Sequence, residues 1–346
     1  MGKLYKRMVD MNNLSNSFEN CKKNVEWKES IQKFESHKYR NLINIRKSLI
    51  DKTYMQKDPY CFQLCKRGKV RNIRAVHISD RVVQKTLCDY ILMPELEKYL
   101  IYDNGSSLKG KGIDFTRRRL VCHLQKYYKQ EFTNEGYILM IDCKKYFDTM
   151  NHEILLNMFE NLLWDREVIE LISKILDKNG DGVIGVDIGN QLSQISGLLY
   201  LTKVDNYCKI VKGLKYYARY QDDIYIIHND KKYLENLKLE LIEIFKELKI
   251  EMNINKTQIK RIDKGFVYLK YIYILKSNGK IYKRPTKKVI NSVRRKLKKM
   301  KNKNIDIEYV LIYYKSRRGT LLKYGGFIIV KKLDNYFNNL FGYKYF

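Results

Sequence analysis

Proline and glycine are scarce, with 3 and 18 among 346 residues. That scarcity excludes a flexible Gly/Ser or Pro-rich linker and any low-complexity tract of those kinds. No apolar run approaches the roughly 20 residues that cross a bilayer. The opening stretch, "MGKLYKRMVDMNNLSNSF", lacks the apolar core of an export signal, so a cytoplasmic protein with no membrane partner is expected. Cysteine is limited to seven scattered residues, and only Cys61 and Cys65 lie close together. "CFQLC" has no second pair at zinc-site spacing, so the set reads as reduced thiols rather than a metal knot. The five histidines are equally dispersed. Acids are the most telling shortage: 38 Asp and Glu face 68 Lys and Arg, a formal net charge of +30. An excess of that size repels itself unless a polyanion is present, which points to nucleic acid first and an anionic membrane surface second.

What is present is ordered, and its length suits one large or two to three small compact units. The abundance of Lys, Asn, Ile and Tyr is partly codon bias, but bias does not explain where the charge sits. Residues 281–346 hold 18 Lys and Arg and three acids, a net +15, half the excess in a fifth of the chain. Val289, Ile290, Val293, Leu297 and Met300 keep a helical stripe beneath that charge, which predicts a folded basic helical module. Near the N-terminus, Ile31, Phe34, Leu42, Ile43, Ile45 and Leu49 recur at helical spacing. "CKRGKVRNIRAVHI" reads as a basic, turn-rich patch, and Ser79-Asp80 as the cap of a helix over "RVVQKTLCDYIL". "DNGSSLKGKG" is a basic glycine loop. "YILMID" reads as a buried strand ending on Asp142, and "NHEILLNMFENLL" as the helix after it. "YLENLKLELIEIFKELKI" reads as an amphipathic helix, and "GFVYLKYIYIL" as one strand.

Lys215 to His228, "KYYARYQDDIYIIH", carries the sharpest signal. Two adjacent aspartates interrupt a run of aromatic and β-branched residues that favours strand. Their mutual repulsion and burial both oppose ionisation there. A hairpin would place Gln221, Asp222 and Asp223 at its tip, with Tyr220 on the shoulder. One reading is a polar turn, since Asp is common in turns. The other is a hard-oxygen cation site completed by Asp142 from a second strand end. Magnesium suits such a site, because it takes few carboxylates and leaves room for water and phosphate. Two ions about 3.5–4 Å apart stabilise both oxygens of an in-line phosphoryl displacement.

"IDCKKYFD" (Ile141 to Asp148) and "YQDD" (Tyr220 to Asp223) resemble the catalytic motifs A and C of reverse transcriptases. Four further stretches follow in that family's order. "GKVRNIRAVHISDRVVQ" resembles the fingers motif, "IGNQLSQ" motif B, "NINKTQI" motif D and "GFVYL" the primer grip. The resemblance implies an α+β right-hand polymerase. Fingers and N-terminal helices would occupy 1–135, the palm 136–280 and a basic helical thumb 281–346. It implies RNA-directed DNA synthesis with two magnesium ions, manganese being the substitute. The metal set would be Asp142, Asp222, Asp223 and the carbonyl of Cys143.

Residue by residue, the resemblance places Arg71 on the incoming triphosphate, with Lys69 and Arg74 flanking it. Phe147 matches the steric gate against ribonucleotides, core packing being its other reading. Lys256 matches the lysine that protonates leaving pyrophosphate, a surface lysine being the other. Gln194 would lie beside the nucleotide. Tyr220, Ser193, Phe266 and Leu269 would lie along the primer and template, with Lys109 and Lys111 of the glycine loop. Arg294, Arg295, Lys298 and Lys299 would bind template phosphates, or form a solvated helix face, and Tyr313 or Tyr314 would stack on unpaired bases. Ser193-Gln194 stands where many relatives carry proline after the motif B position. The pattern Ile188-Gly189-x-x-x-Ser193-Gln194 resembles the enzymes of diversity-generating retroelements and of phage defence. The expected partners are therefore a structured non-coding RNA template, a DNA primer and deoxynucleotides, and a protein partner or self-association is compatible. The chain would be a minimal enzyme with no RNase H, integrase or endonuclease domain. An RNA-synthesising or template-free nucleotidyltransferase shares the same palm. A non-catalytic RNA-binding relative would be expected to lose the acids, and all three are present.

Overall fold

The computed structural model describes every residue except Arg67, Gly68, Ile188, Tyr343 and Lys344, and of Lys66, Lys69 and Arg71 only the backbone. Four helices open the chain: α1 (Lys3–Met8), α2 (Met11–Lys22), α3 (Glu29–Ser36) and α4 (Lys38–Ile50). The helical stripe read from the sequence is split by His37 into α3 and α4, and it buries Ile31, Phe34, Leu42, Ile45 and Leu49. Ile43 departs from it and is 56% exposed. The basic patch is a hairpin, β1 (Tyr60–Lys66) with β2 (Lys69–Ala75), in antiparallel register from Tyr60↔Ala75 to Lys66↔Lys69.

Helix α5 (Ile78–Leu87) runs through a wide turn, Cys88–Leu92, into α6 (Met93–Leu96). Its expected cap is corrected: His77 is the capping position, without a side-chain bond. Asp80 is instead buried, accepting from the Tyr54 hydroxyl at 2.9 Å and the Lys57 amide at 3.2 Å. Helix α7 spans Ile113–Glu131 and β3 spans Tyr137–Ile141. Asn151 caps α8 (His152–Leu163) by accepting from Ile154 N, and Asp165 caps α9 (Arg166–Leu176) by accepting from Val168 N. Then come α10 (Gln191–Tyr200), α11 (Thr202–Asn206), β4 (Tyr217–Tyr220), β5 (Asp223–His228) and α12 (Lys231–Glu247). Strands β6 (Gln258–Arg261), β7 (Phe266–Tyr268), β8 (Tyr271–Leu275) and β9 (Ile281–Pro285) precede three helices, α13 (Lys287–Asn302), α14 (Ile307–Lys323) and α15 (Phe327–Phe341).

Four strands form one sheet in the order β4-β5-β3-β6, with β3 antiparallel to β6 from Tyr137↔Arg261 to Met140↔Gln258. A second sheet, β7-β8-β9, is antiparallel throughout. The single strand expected over "GFVYLKYIYIL" is two strands. Leu269 and Lys270 turn the chain between them, both left-handed, at φ 43° and 74°. That pair of positive φ values is the turn whose twist matches a tight hairpin.

By packing, the chain divides into two compact units. One comprises Met1–Gly112, Ile141–Ile224 and Leu237–Lys256; the other comprises Ile113–Met140, Tyr225–Asn236 and Thr257–Phe346. In the first, α2 packs on α5, α8 pairs with α9, and α10 packs on α5 and α8. In the second, the Arg117 side chain donates to Leu269 O at 2.7 Å and lies 4.4 and 4.8 Å over the rings of Tyr271 and Tyr324. Close packing there demands Gly136, since a Cβ at that position would sit 2.3 Å from the Tyr127 hydroxyl.

The basic C-terminal helices share their own core of Val293, Leu297, Met300, Val310, Tyr314, Leu321, Val330, Leu333 and Phe337. The expectation that Tyr314 stacks on bases is therefore corrected. Tyr314 is 0% exposed, stacks on Phe337 at 4.7 Å and donates to Asp334 at 2.7 Å. Tyr313 is partly buried against the same core, beneath Arg317 at 5.6 Å. The residue of α14 that presents an open ring is Tyr309, 65% exposed.

Candidate active site

Asp142 follows directly on β3, where the buried run Ile138, Leu139 and Ile141 ends. The segment after α12 comes back beside it. Asn253 N–H donates to the Asp142 carbonyl at 2.7 Å, and Asn253 Nδ2 donates to Asp142 Oδ2 at 3.0 Å. Lys256 Nζ donates to the same Oδ2 at 2.8 Å. That bond raises the Lys256 pKa, so the cation is firmly charged. The Lys144 amide donates to Glu251 O at 2.9 Å, which makes Cys143 and Met252 a non-hydrogen-bonded antiparallel pair. The Cys143 carbonyl is consequently not spent on that bridge.

Asp222 lies in the two-residue turn between β4 and β5, after Gln221 at φ 54°, and Asp223 opens β5. Burial pushes the Asp222 pKa up, and the charge of Asp142 adds to it, against Lys256 and Arg219. The buried Cys143 thiol is raised well above its ordinary value by burial, then by the charges of Asp222, Asp142 and Asp223. The charges of all three acids are thus felt at Cys143. In this structure the cations Lys256 and Arg219 offset their repulsion.

Arg219 is the residue that sequence reasoning missed. It sits in β4, three positions before Asp222, and is fully buried. Its Nε donates to Asp205 at 2.9 and 3.1 Å, and its Nη2 to Asp205 at 2.6 Å and to Leu198 O at 2.9 Å. Its Nη1 donates to Gly197 O at 3.2 Å and to Gln221 O at 3.3 Å. Burial opposes the guanidinium charge, and the charge and hydrogen bonds of Asp205 together override it and raise the pKa. The Tyr217 hydroxyl donates to Asp205 at 2.5 Å, and the Tyr146 hydroxyl to Gly197 O at 2.7 Å. One buried side chain therefore ties α10, α11 and the aspartate turn together.

The Phe147 ring is half-buried, edge-on to Tyr146 at 5.2 Å. It faces Gly197, where a Cβ would come within 3.0 Å of Phe147 and 2.7 Å of Gln221 Oε1. Glycine at 197 therefore makes the space that these two side chains share. Gln221 Nε2 donates to Ser107 Oγ at 3.1 Å, and Ser107 Oγ donates to Gln194 at 3.2 Å. Gln194 is exposed on α10, whereas Ser193 is buried, its hydroxyl donating to Asp187 O at 2.6 Å. Asn190 caps the same helix by accepting from Ser193 N.

The remaining expected residues are spread over both units. The side chains of Lys69 and Arg71, and Ile188 of motif B, lie outside the described residues. Arg74, about a third exposed, reaches Asp187 at 3.3 Å and donates to Gly180 O and Lys178 O at 2.8 and 2.7 Å. Lys109 is exposed, and Lys111 donates to Tyr102 O at 2.7 Å. Tyr220 is half-buried. Phe266 is buried against Tyr273, and Leu269 forms the β7–β8 turn. On α13, Arg294, Arg295, Lys298 and Lys299 are all exposed, with Arg294 5.3 Å over the Tyr336 ring.

The donor set at the acids is oxygen only: carboxylates and the Cys143 carbonyl, the thiol being held protonated. Among the described residues, no group of three or more His, Cys, Asp and Glu is placed to hold a metal ion, so a cation here would rest on fewer side chains together with backbone, water or phosphate oxygens. The acids suit magnesium, which retains water and takes few protein oxygens. A cation taken up by Asp142 would compete with Lys256 for Oδ2.

Comparison with known proteins meets this geometry from another side. A family model described as reverse transcriptase (RNA-dependent DNA polymerase) matches residues 55–273. The putative COX1/OXI3 intron 2 protein of Saccharomyces cerevisiae is 24% identical over 271 residues, covering 59% of this chain and 30% of that protein. Protein YkfC of Escherichia coli K12 is 23% identical over 254 residues, covering 60% of this chain and 64% of YkfC. The chain thus spans less than two thirds of either relative. A solved structure of Candida albicans telomerase, in complex with a TWJ fragment of telomeric RNA, superposes with a TM-score of 0.52 at 12% identity. It covers 82% of this chain and 59% of that one. The fold is that of a right-hand polymerase, α+β as expected.

Proposed function

We propose, from the premise that the chain belongs to the reverse transcriptase family, that it copies RNA into DNA by adding deoxynucleotides to a primer 3′-hydroxyl. What supports this reading is that the charges of Asp142, Asp222 and Asp223 are all felt at the buried Cys143, and that Phe147, Gly197 and Gln221 pack side by side. Asp142, Asp222, Asp223 and the Cys143 carbonyl would hold two magnesium ions, manganese being the substitute. Such ions supply positive charge to the attacking and leaving oxygens of a phosphoryl transfer. The chain's own groups do the rest. Arg219 fixes the turn that carries Asp222, Asn253 orients Asp142, and Lys256, once free of Asp142, offers a proton to the leaving pyrophosphate. Primer extension on an RNA template, with deoxynucleotides, magnesium and the purified chain, tests the reading. No extension with either metal would reject it.

Phe147 fits a gate on the nucleotide sugar, because its ring is only half-buried and borders the space that Gly197 keeps clear. Phe147→Ala is expected to raise ribonucleotide use relative to deoxynucleotide use by about tenfold or more, the scale of a steric pocket effect. Single-nucleotide incorporation of both sugars by parent and variant measures it. An active variant with an unchanged ratio would assign Phe147 to packing.

We further propose that the template is a structured non-coding RNA encoded nearby, in a minimal retroelement or an anti-phage defence system acting in the cytoplasm. The motif B sequence Ser193-Gln194 supports the kind of element. The exposed cations of α13 support the RNA, since like charges packed along one helix favour a polyanion. Replacing Arg294, Arg295, Lys298 and Lys299 together by glutamine should flatten the salt dependence of RNA binding. The slope should fall by up to about 0.7–0.9 for each phosphate that these cations no longer neutralise. Affinity for the co-purifying RNA across a salt series reads this out. Parallel lines with equal intercepts would move the RNA-holding role to Lys109, Lys111 and the β1–β2 hairpin.

A further inference from the structure

A concavity of about 510 Å³ opens in the second unit, among β8, β9, α13 and α15. Its deeper wall is apolar: Pro285 is buried, and Ile272, Ile290 and Ile329 are half-buried. Its rim is cationic, with Arg284, Lys287, Arg294 and Lys332 all exposed. Asn291 adds one exposed amide that both donates and accepts. The acids of this region are engaged elsewhere or distant from the rim in sequence. Asp334 accepts from Tyr314 and Arg318, Asp306 caps α14, and Glu308 lies in the first turn of α14. Tyr336 lies under the Arg294 guanidinium at 5.3 Å and restrains it.

Among the described residues that line it, four cations and no carboxylate call for an anion, and the apolar wall calls for something more than a phosphate. The volume exceeds that of a single oxyanion and falls within the range of small-ligand sites. We propose that this concavity seats one unpaired nucleotide of a single-stranded nucleic acid. The base lies on Ile272, Ile290 and Ile329, its edge meets Asn291, and the flanking phosphates meet the rim. A paired base cannot enter, so the site selects strand segments outside a duplex. The choice of a strand over a free nucleotide rests on the proposed function; the seating of a nucleotide does not.

The test uses the full chain in EDTA, without deoxynucleotides, so failure of catalysis cannot mimic failure of the site. Fluorescence anisotropy compares a single-stranded RNA decamer with the same decamer carrying one central abasic position. The intact strand is expected to bind about tenfold tighter. Ile329→Ser and, separately, the surface variant Asn291→Ala should each shrink that ratio. Arg284→Gln with Lys332→Gln should weaken both strands and flatten their salt dependence. Because Asn291, Arg284 and Lys332 are exposed, these variants keep the test decisive if Ile329→Ser misfolds. Equal binding of intact and abasic strands would overturn the proposal. So would a ratio unchanged in every variant, competition by duplex as strong as by single strand, or displacement by free AMP or UMP at the decamer's own concentration.

Discussion

Asp222→Asn combined with Asp223→Asn is expected to lower the rate of deoxynucleotide addition by at least about 10³-fold, roughly 4 kcal/mol of transition-state stabilisation. The expectation follows from what surrounds these acids. Asp222 is partly buried, its pKa raised by burial and by the charge of Asp142. A carboxylate in that position is costly to ionise, and the cost is offset only when positive charge is held against it. Asparagine keeps the shape of the turn and removes the charge that would retain a divalent ion. The sign of the stability effect runs the other way. A carboxyl whose folded pKa is raised contributes its stability below the unfolded pKa and loses it as pH rises through the folded value. At neutral pH the metal-free parent therefore carries a penalty that the double variant lacks. The variant should unfold in urea at the same or a higher midpoint than the metal-free parent. Single-turnover extension and urea titration of the same preparation separate the two effects. Parent-like extension by a folded double variant would remove the metal-holding role from this turn. A variant that neither folds nor extends would show instead that the charges are structural.

The sequence made some of this legible and hid other parts for identifiable reasons. Asp142 could be placed because a buried apolar strand ends on it, and the aspartate turn because β-favouring residues flank it on both sides. The helix read over "NHEILLNMFENLL" is α8, and Asn151 caps it by accepting from Ile154 N. The β1–β2 hairpin escaped because Phe62 and Leu64 are about half exposed and Val70 more so, and no alternation marks an inner face. The β7–β8 turn escaped because Leu269 and Lys270 carry none of the usual turn residues, although both adopt positive φ. Tyr314 was misread because apolar residues surround α14 on all sides, so periodicity cannot choose the buried one. Asp334, twenty residues away, makes the choice by accepting its hydroxyl. Arg219 was invisible for a similar reason. A cation in a strand reads as solvated until its partner is known, and Asp205 comes from a different element.

That hidden pair carries the other large expectation. Asp205→Ala should destabilise the fold by about 3–5 kcal/mol, the cost of leaving a buried charge without its partner. Arg219 would keep only the carbonyls of Gly197, Leu198 and Gln221 as acceptors. Replacing both partners, Asp205→Leu with Arg219→Met, removes the unpaired charge and should recover most of that loss, because apolar substitutes for a buried ion pair are often neutral or better. Activity should not recover with it. The methionine cannot donate to Gln221 O, so the turn that presents Asp222 loses its tie to α10 and α11. We expect the double variant to unfold near the parent midpoint yet extend a primer at least about tenfold more slowly, with the loss in kcat rather than in KM for the nucleotide. Urea titrations of the parent, both single variants and the pair close the double-mutant cycle, and steady-state extension by the two stable proteins supplies the rates. If the stable double variant extends at the parent rate, Arg219 serves the fold alone, and the position of Asp222 is set by the strands on either side of it.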